Sequence, residues 1–128
     1  MTQHFLLVDD DANIQDLAGM YFSKWKKKGN DIELHLASQG EDAIEYLKDQ
    51  QYKFELVIMD IRMPPGINGV DTILEMLKIN SMLNYVFHSA FSDFSVEDIK
   101  KRLGIEEDPV IIEKPFLVKF LKKQYFTE

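Results

Sequence analysis

The chain has 128 residues, 45% of them hydrophobic and 29% charged, enough apolar material for one core and the size expected of a single domain spanning 1–128. A net charge of -7 opposes binding driven by nucleic-acid phosphates, and the absence of cysteine excludes disulfides, thiolate metal sites and cysteine nucleophiles. The N-terminus lacks a basic region followed by a long apolar stretch, and no apolar run approaches the roughly 20 residues of a membrane span, so the chain reads as cytoplasmic with no membrane partner.

Phe5-Leu6-Leu7-Val8 is a continuous apolar run stopped by Asp9-Asp10-Asp11, the pattern of a strand buried on both faces that ends at a polar rim. Ile14, Leu17, Ala18, Tyr21, Phe22 and Trp25 recur at the three- and four-residue steps of one helical face, and Gly29-Asn30 supplies its stop. Ile32 to Ala37 alternates as a strand near a sheet edge would, and Ser38-Gln39-Gly40-Glu41 has capping-box spacing before a helix carrying Ala43, Ile44 and Leu47. Leu56-Val57-Ile58-Met59 is a third buried strand ending on an acid, Asp60. After the turn segment Met63 to Gly69 comes a helix with Val70, Ile73, Leu74 and Leu77 on one face. Tyr85 to Ser89 reads as the fourth strand, and Ser95 caps a short helix ending at Leu103. Val110-Ile111-Ile112 closes the sheet, and Leu117 to Phe126 forms the last helix.

Five strands alternating with five helices predict an α/β fold with a doubly wound, five-stranded parallel sheet, helices covering both faces. In such sheets the site lies beyond the C-terminal strand ends. Those ends present Asp9 and Asp10, then Asp60, Ser89 and Lys114. Two ionised carboxylates about 4 Å apart repel by roughly 4 kcal/mol at an effective dielectric of 20, so the cluster needs a proton or a cation, and oxygen ligands favour Mg²⁺. The histidines have no metal-ligand spacing. His4 and His35 read as surface residues, and alternation along the fourth strand sets His88 on the face opposite Ser89, away from the site.

Leu7-Val8-Asp9-Asp10-Asp11, Asp60-Ile61-Arg62-Met63-Pro64, Ser89-Ala90 and Lys114-Pro115-Phe116 together resemble the motifs of the receiver domain of two-component response regulators, a CheY-like family of flavodoxin-like (βα)5 fold. The resemblance covers essentially the whole chain. It implies that Asp60 accepts a phosphoryl group from a phosphohistidine on a histidine kinase or histidine phosphotransfer protein. It also implies Mg²⁺ held by Asp9, Asp10, Asp60 and the backbone carbonyl of Arg62, with Ser89 and Lys114 on the remaining phosphoryl oxygens. Such a module is a signalling switch that catalyses only its own phosphorylation and dephosphorylation. By analogy its output partner, a protein, meets the face of the fourth helix, fifth strand and last helix. Most of the aromatics Phe116, Phe120, Tyr125 and Phe126 are expected in the core.

The chain departs from the family at Ile111, where the family usually carries an aromatic switch residue, and in the loop 65–69, one residue longer than common, with Asn68 where Asp is frequent. Arg62 and Phe91 occupy positions from which side chains crowd the hydrolytic water, which leads to an expectation of a long-lived phosphorylated state. Two alternatives stand beside this reading. One is a haloacid-dehalogenase-type phosphatase with Asp9 as nucleophile and Asp11 as acid, although Asn13 departs from that motif. The other is a receiver-like scaffold that is never phosphorylated.

Overall fold

In the computed structural model, which describes residues 1–49, 51–62, 68–89 and 95–126, the strands are β1 (Gln3–Val8), β2 (Ile32–Ala37), β3 (Phe54–Asp60), β4 (Tyr85–Ser89) and β5 (Ile111–Glu113). They alternate with helices α1 (Ala12–Lys27), α2 (Gly40–Asp49), α3 (Gly69–Ile79), α4 (Val96–Leu103) and α5 (Leu117–Tyr125), the last preceded by a 3-10 turn at Lys114–Phe116. All pairings are parallel and the strand order is β2-β1-β3-β4-β5. The chain therefore steps outward to β2 and then crosses back over β1 to β3, and the sheet opens a crevice between the C-terminal ends of β1 and β3. Among the described residues no helix is long and apolar enough to cross a membrane.

The unbroken apolar run of β1 follows from burial on both faces: Phe5, Leu6, Leu7 and Val8 are all fully buried. Leu6 and Val8 join Val57, Met59 and Phe87 under α2, α3 and α4. Phe5 and Leu7 join Leu56, Ile58, Val86 and Ile112 under α1 and α5. On this second face Trp25 stacks on Phe126 with centroids 4.4 Å apart, and Phe5 meets Phe22 edge-on at 5.3 Å, so an aromatic cluster ties the end of the chain to α1.

Helix ends follow local chemistry. Asp11, Asn68 and Ser95 accept the amides of Asn13, Asp71 and Asp98 at the starts of α1, α3 and α4, and Gly104 ends α4 with φ 68°. Asn68 thus caps α3 as well as an aspartate would. It also donates from Nδ2 to Asp71 Oδ2 (3.1 Å), and Arg102 of α4 holds Asp71 Oδ1 through Nε at 2.8 Å and a second guanidinium nitrogen at 2.7 Å. The N-cap of α3 is in this way linked to α4.

Several local expectations shift. Helix α2 starts at Gly40 with its first backbone bond from Ala43 N to the Gln39 carbonyl, so Gln39 takes the cap position, and the Ser38 hydroxyl oxygen accepts from Gln15 Nε2 (3.3 Å). The fifth strand runs one residue later than expected, and Val110 just before it is half-exposed, although its carbonyl accepts the Phe87 amide at 2.9 Å. Leu17 is 46% exposed although it lies on the apolar stripe of α1. His4 and His35 are half-buried rather than on the surface: their rings meet at 3.0 Å between Nδ1 and Nε2, and Tyr52 lies over both. Phe116 is 52% exposed, whereas Phe126 is buried and Phe120 and Tyr125 are partly buried.

A close backbone approach fixes the start of α3. The Gly69 amide donates to the Ile61 carbonyl at 2.8 Å, and a Cβ on Gly69 would be driven into the Asp60 carbonyl oxygen and lie 2.8 Å from its carbon. Gly69→Ala is expected to lose about 3 kcal/mol of stability by urea denaturation, since the obstructing atoms are backbone. Gly19→Ala, inside α1 with nothing within 4 Å of the added Cβ, should gain up to about 1 kcal/mol. Equal effects of the two substitutions would contradict this contact.

Candidate functional site

Four side chains at the C-terminal edge share one strand parity. Asp9, Asp60, His88 and Lys114 each stand two residues beyond a core residue of the α1/α5 face, namely Leu7, Ile58, Val86 and Ile112. Strand register aligns them: Val8 pairs with Met59, Asp60 with His88, and His88 with Ile112. The polar row is the continuation of the apolar column below it, on the same side of the sheet.

Asp9 is fully buried. Its Oδ1 accepts the Asp11 amide at 2.9 Å, and its Oδ2 lies 3.2 Å from Lys114 Nζ and 3.7 Å from His88 Nδ1. Its carbonyl accepts from Gln15 Nε2 at 2.8 Å, which ties α1 to the end of β1. Asp60 is also buried; Oδ2 is 3.4 Å from Lys114 Nζ, and Oδ1 accepts the Arg62 amide at 3.4 Å. Asp10 is exposed at the rim, yet one carboxylate oxygen from each of Asp9, Asp10 and Asp60 falls within 4.8 Å of the others. Ser89 is buried at the end of β4, and Ile111 packs against the α2–α4 side of the core. Arg62 is exposed. Met63, Pro64, the loop 65–67, Ala90 and Phe91 lie outside the described residues. Asp11, the acid that a dehalogenase-type reading requires, is exposed and committed to capping α1 at 2.8 Å from Asn13 N.

His88 is where alternation misleads. His88 and Ser89 do point to opposite sides of β4, but the carboxylates and Lys114 share the parity of His88 rather than that of Ser89. The counting that would have revealed this is the two-residue offset from each core residue. Gln15 is the other contributor that sequence reasoning passed over, its amide hidden within an otherwise amphipathic helix.

Three carboxylates face one ammonium, and the electrostatics follow. Burial, and then the charge of Asp9, push the Asp60 carboxyl up to about 6, outweighing Lys114 and the Arg62 amide. Burial also opposes ionisation of Asp9, but His88, the Asp11 amide and Lys114 together hold it below the usual carboxylate range. Burial would lower Lys114; the two carboxylates outweigh it and raise it. Asp9 Oδ2 and His88 Nδ1 are buried without a hydrogen-bond partner among the described residues. An acceptor-only oxygen that is ion-paired with Lys114 at 3.2 Å but makes no aligned hydrogen bond, beside two further carboxylates, fits a hard divalent cation such as Mg²⁺.

Because the folded-state value of Asp60 lies above its unfolded value of 3.8, the native state retains this proton longer. Its contribution to stability falls as pH rises from about 4 to 6, whereas the contribution of Asp9 runs the other way and is lost as pH falls through its depressed value. With divalent cations chelated, Asp60→Asn is expected to be more stable than the natural chain at neutral pH, by up to about 3 kcal/mol, with the gap closing toward pH 4. Thermal unfolding across pH checks this; a variant less stable at every pH would refute the balance of charges described.

The model of the family described as "Response regulator receiver domain" matches residues 5–125. No curated protein matches the sequence. Among solved structures, a CheY-like response regulator receiver domain protein from Methanospirillum hungatei JF-1 superposes with a TM-score of 0.72 at 19% identity, over 97% of this chain and 90% of that one. The N-terminal domain of a response regulator/sensory box/GGDEF protein from Carboxydothermus hydrogenoformans gives 0.73 at 24% identity, over 94% and 89%. The receiver domain of a histidine kinase from Arabidopsis thaliana, solved with Mg²⁺, gives 0.68 at 18% identity, over 94% and 90%. At these identities the structural likeness speaks for the fold alone, while the family model spans nearly the whole sequence and the acidic row lies at the strand ends where such a sheet presents its site. This chain belongs to the response regulator receiver domain family, the signalling modules of two-component systems.

Proposed function

We propose that the chain is a phosphorylation-dependent switch in which Asp60 accepts a phosphoryl group from a phosphohistidine on a histidine kinase or histidine phosphotransfer protein. The observation that carries this reading is the buried Asp60 carboxylate, gathered with those of Asp9 and Asp10 within 4.8 Å and faced by Lys114 at 3.4 Å. Asp60 is the nucleophile: its carboxylate oxygen bonds to phosphorus as the donor's phosphorus–nitrogen bond breaks, and the departing imidazole takes a proton from solvent. With its carboxyl pushed up to only about 6, Asp60 is largely ionised at neutral pH and available for attack.

Asp9, Asp10, Asp60 and the backbone carbonyl of Arg62 would hold Mg²⁺. When bound, the cation neutralises charge on the transferring oxygens. The Arg62 amide orients Asp60 through Oδ1. Lys114 keeps its proton, and its ammonium passes from carboxylate to phosphoryl oxygen with little movement, while the Ser89 hydroxyl, which stands on the other side of β4 from the acidic row, turns over the strand end to donate to another. Phosphorylation offers Ser89 an acceptor oxygen farther out than the bare carboxylate and offers Lys114 a more highly charged partner than the carboxylates it already pairs with, and this differential contact shifts the population of the two surface states. Ile111 carries no ring, so the readout does not use an aromatic rotamer. The output face is α4, β5 and α5, where Val96, Val110 and Phe116 are exposed. Support for Mg²⁺ comes also from the relatives: the Arabidopsis receiver was solved with it, and a CheY from Borrelia burgdorferi with BeF3 and Mg²⁺ in complex with CheX. Residues 1–128 act as one unit in the cytoplasm.

Incubation with acetyl phosphate and Mg²⁺ should place a single phosphoryl adduct on Asp60, located by peptide mass spectrometry, and none on Asp60→Asn or after chelation. Lys114→Met should slow the reaction about a hundredfold, the scale of losing one charged stabilising group. Modification of Asp9 instead, or no adduct with any phosphodonor, would reject the assignment. The adduct should persist for minutes in Mg²⁺ buffer, with Arg62 crowding the water that hydrolyses it; decay within a few seconds would reject the long-lived state.

A further inference from the structure

The His88 imidazole is fully buried, and Nε2 lies 3.3 Å from the Lys114 carbonyl oxygen. A carbonyl oxygen only accepts, so Nε2 carries the proton and donates. Burying an imidazole is costly unless its polar atoms are used: Nε2 is used in this bond, while Nδ1 lies 3.7 Å from Asp9 Oδ2 without a hydrogen bond, and the core residues beneath, Val86, Ile58 and Ile112, are aliphatic. Packing does not fix the ring on every side either. A cavity of about 160 Å³ opens beside it, walled by Ile14, Leu17, Ala18, Leu117 and Val118 and reaching Lys114. The hydrogen bond, rather than close packing, sets where the ring sits.

The acceptor is the main chain of the residue whose ammonium reaches both buried carboxylates, at 3.2 Å from Asp9 and 3.4 Å from Asp60. The same carbonyl also accepts the Leu117 amide, which closes the 3-10 turn Lys114–Phe116, but that bond ties Lys114 only to its own turn; the residue leaves β5, an edge strand of three residues, and His88 is the side chain that ties it to β4. A flexible four-carbon side chain delivers its charge reproducibly only if its backbone origin is fixed.

We propose that His88 is a positioning residue for phosphoryl transfer: it clamps the Lys114 carbonyl to β4, and so sets the ammonium at the distance from which it meets the phosphoryl group. The assignment rests on the reading of Asp60 as phosphoacceptor. His88 itself touches neither donor nor phosphoryl group; it acts through Lys114.

The test is the rate of Asp60 phosphorylation by acetyl phosphate at saturating Mg²⁺, in variants that retain the cooperative unfolding of the natural chain. His88→Phe keeps a ring and loses the donor, and should react about tenfold more slowly, the scale of one hydrogen bond. His88→Gln restores an N–H near the position of Nε2 and should recover most of the lost rate. In a Lys114→Met background, His88→Phe should produce no further loss, because the residue it positions is gone. If His88→Phe does not fold, His88→Leu supplies the same comparison. A His88→Phe rate equal to that of the natural chain, a His88→Gln rate as low as that of His88→Phe, or an undiminished loss without Lys114 would each overturn the assignment. No phosphorylation of the natural chain would overturn the phosphoacceptor reading and this one with it, whereas normal phosphorylation with an indifferent His88 overturns this one alone.

Discussion

Asp9 and Asp60 are buried next to one another at the crevice between β1 and β3, and the ammonium of Lys114 is shared between them. Two like charges out of water and in contact with one cation are not a comfortable end for a sheet. The surrounding structure is organised around that strain. Backbone amides of Asp11 and Arg62 are directed at one oxygen of each carboxylate, and Gln15 holds the end of β1 by its carbonyl. The response is unequal: Asp9 is held ionised while Asp60 is pushed toward protonation. One carboxylate is thus committed to charge, and its neighbour gains most from a cation or from chemical modification.

The apolar strands beneath serve this arrangement. Charges are kept this close by a rigid floor, and the floor is β1 and β3, adjacent interior strands whose side chains fill both layers of the core. Gly69 then brings the start of α3 against the carbonyl of Asp60, and Asn68, Asp71 and Arg102 carry the connection on to α4. With isoleucine at 111 packed into the α2–α4 side of the core, this polar chain is one physical connection from the Asp60 segment to α4.

Much of this is legible in the sequence because its causes are local. Phe5-Leu6-Leu7-Val8 and Leu56-Val57-Ile58-Met59 can only be strands buried on both faces, since each is too short for a buried helix and ends on acid. Ser95 and Gly104 announce α4 by capping chemistry alone. What cannot be read is decided by register and by distant partners. Ser38 has the spacing of a cap, but its hydroxyl is engaged by Gln15, a residue 23 positions away. Val110 is as apolar as Ile112, but it stands just before the strand with its side chain half-exposed, although its carbonyl still accepts the Phe87 amide. His88 looks like a packing residue until β3, β4 and β5 are laid in register, when it falls into the row of Asp9, Asp60 and Lys114. His4 and His35, 31 positions apart, find each other only once β1 and β2 are paired.

The uneven length of the strands has a further meaning in terms of local opening. β1 and β3 are interior strands, six and seven residues long and paired on both sides, so they belong with the elements whose opening costs most of the global free energy. β5 is a three-residue edge strand, the kind of element that opens at a small fraction of the global free energy. The carboxylates are mounted on the first kind of strand and Lys114 on the second. The site therefore has a fixed jaw and a yielding one, and whatever occupies it adds its binding energy to the edge of the sheet that had the least of its own.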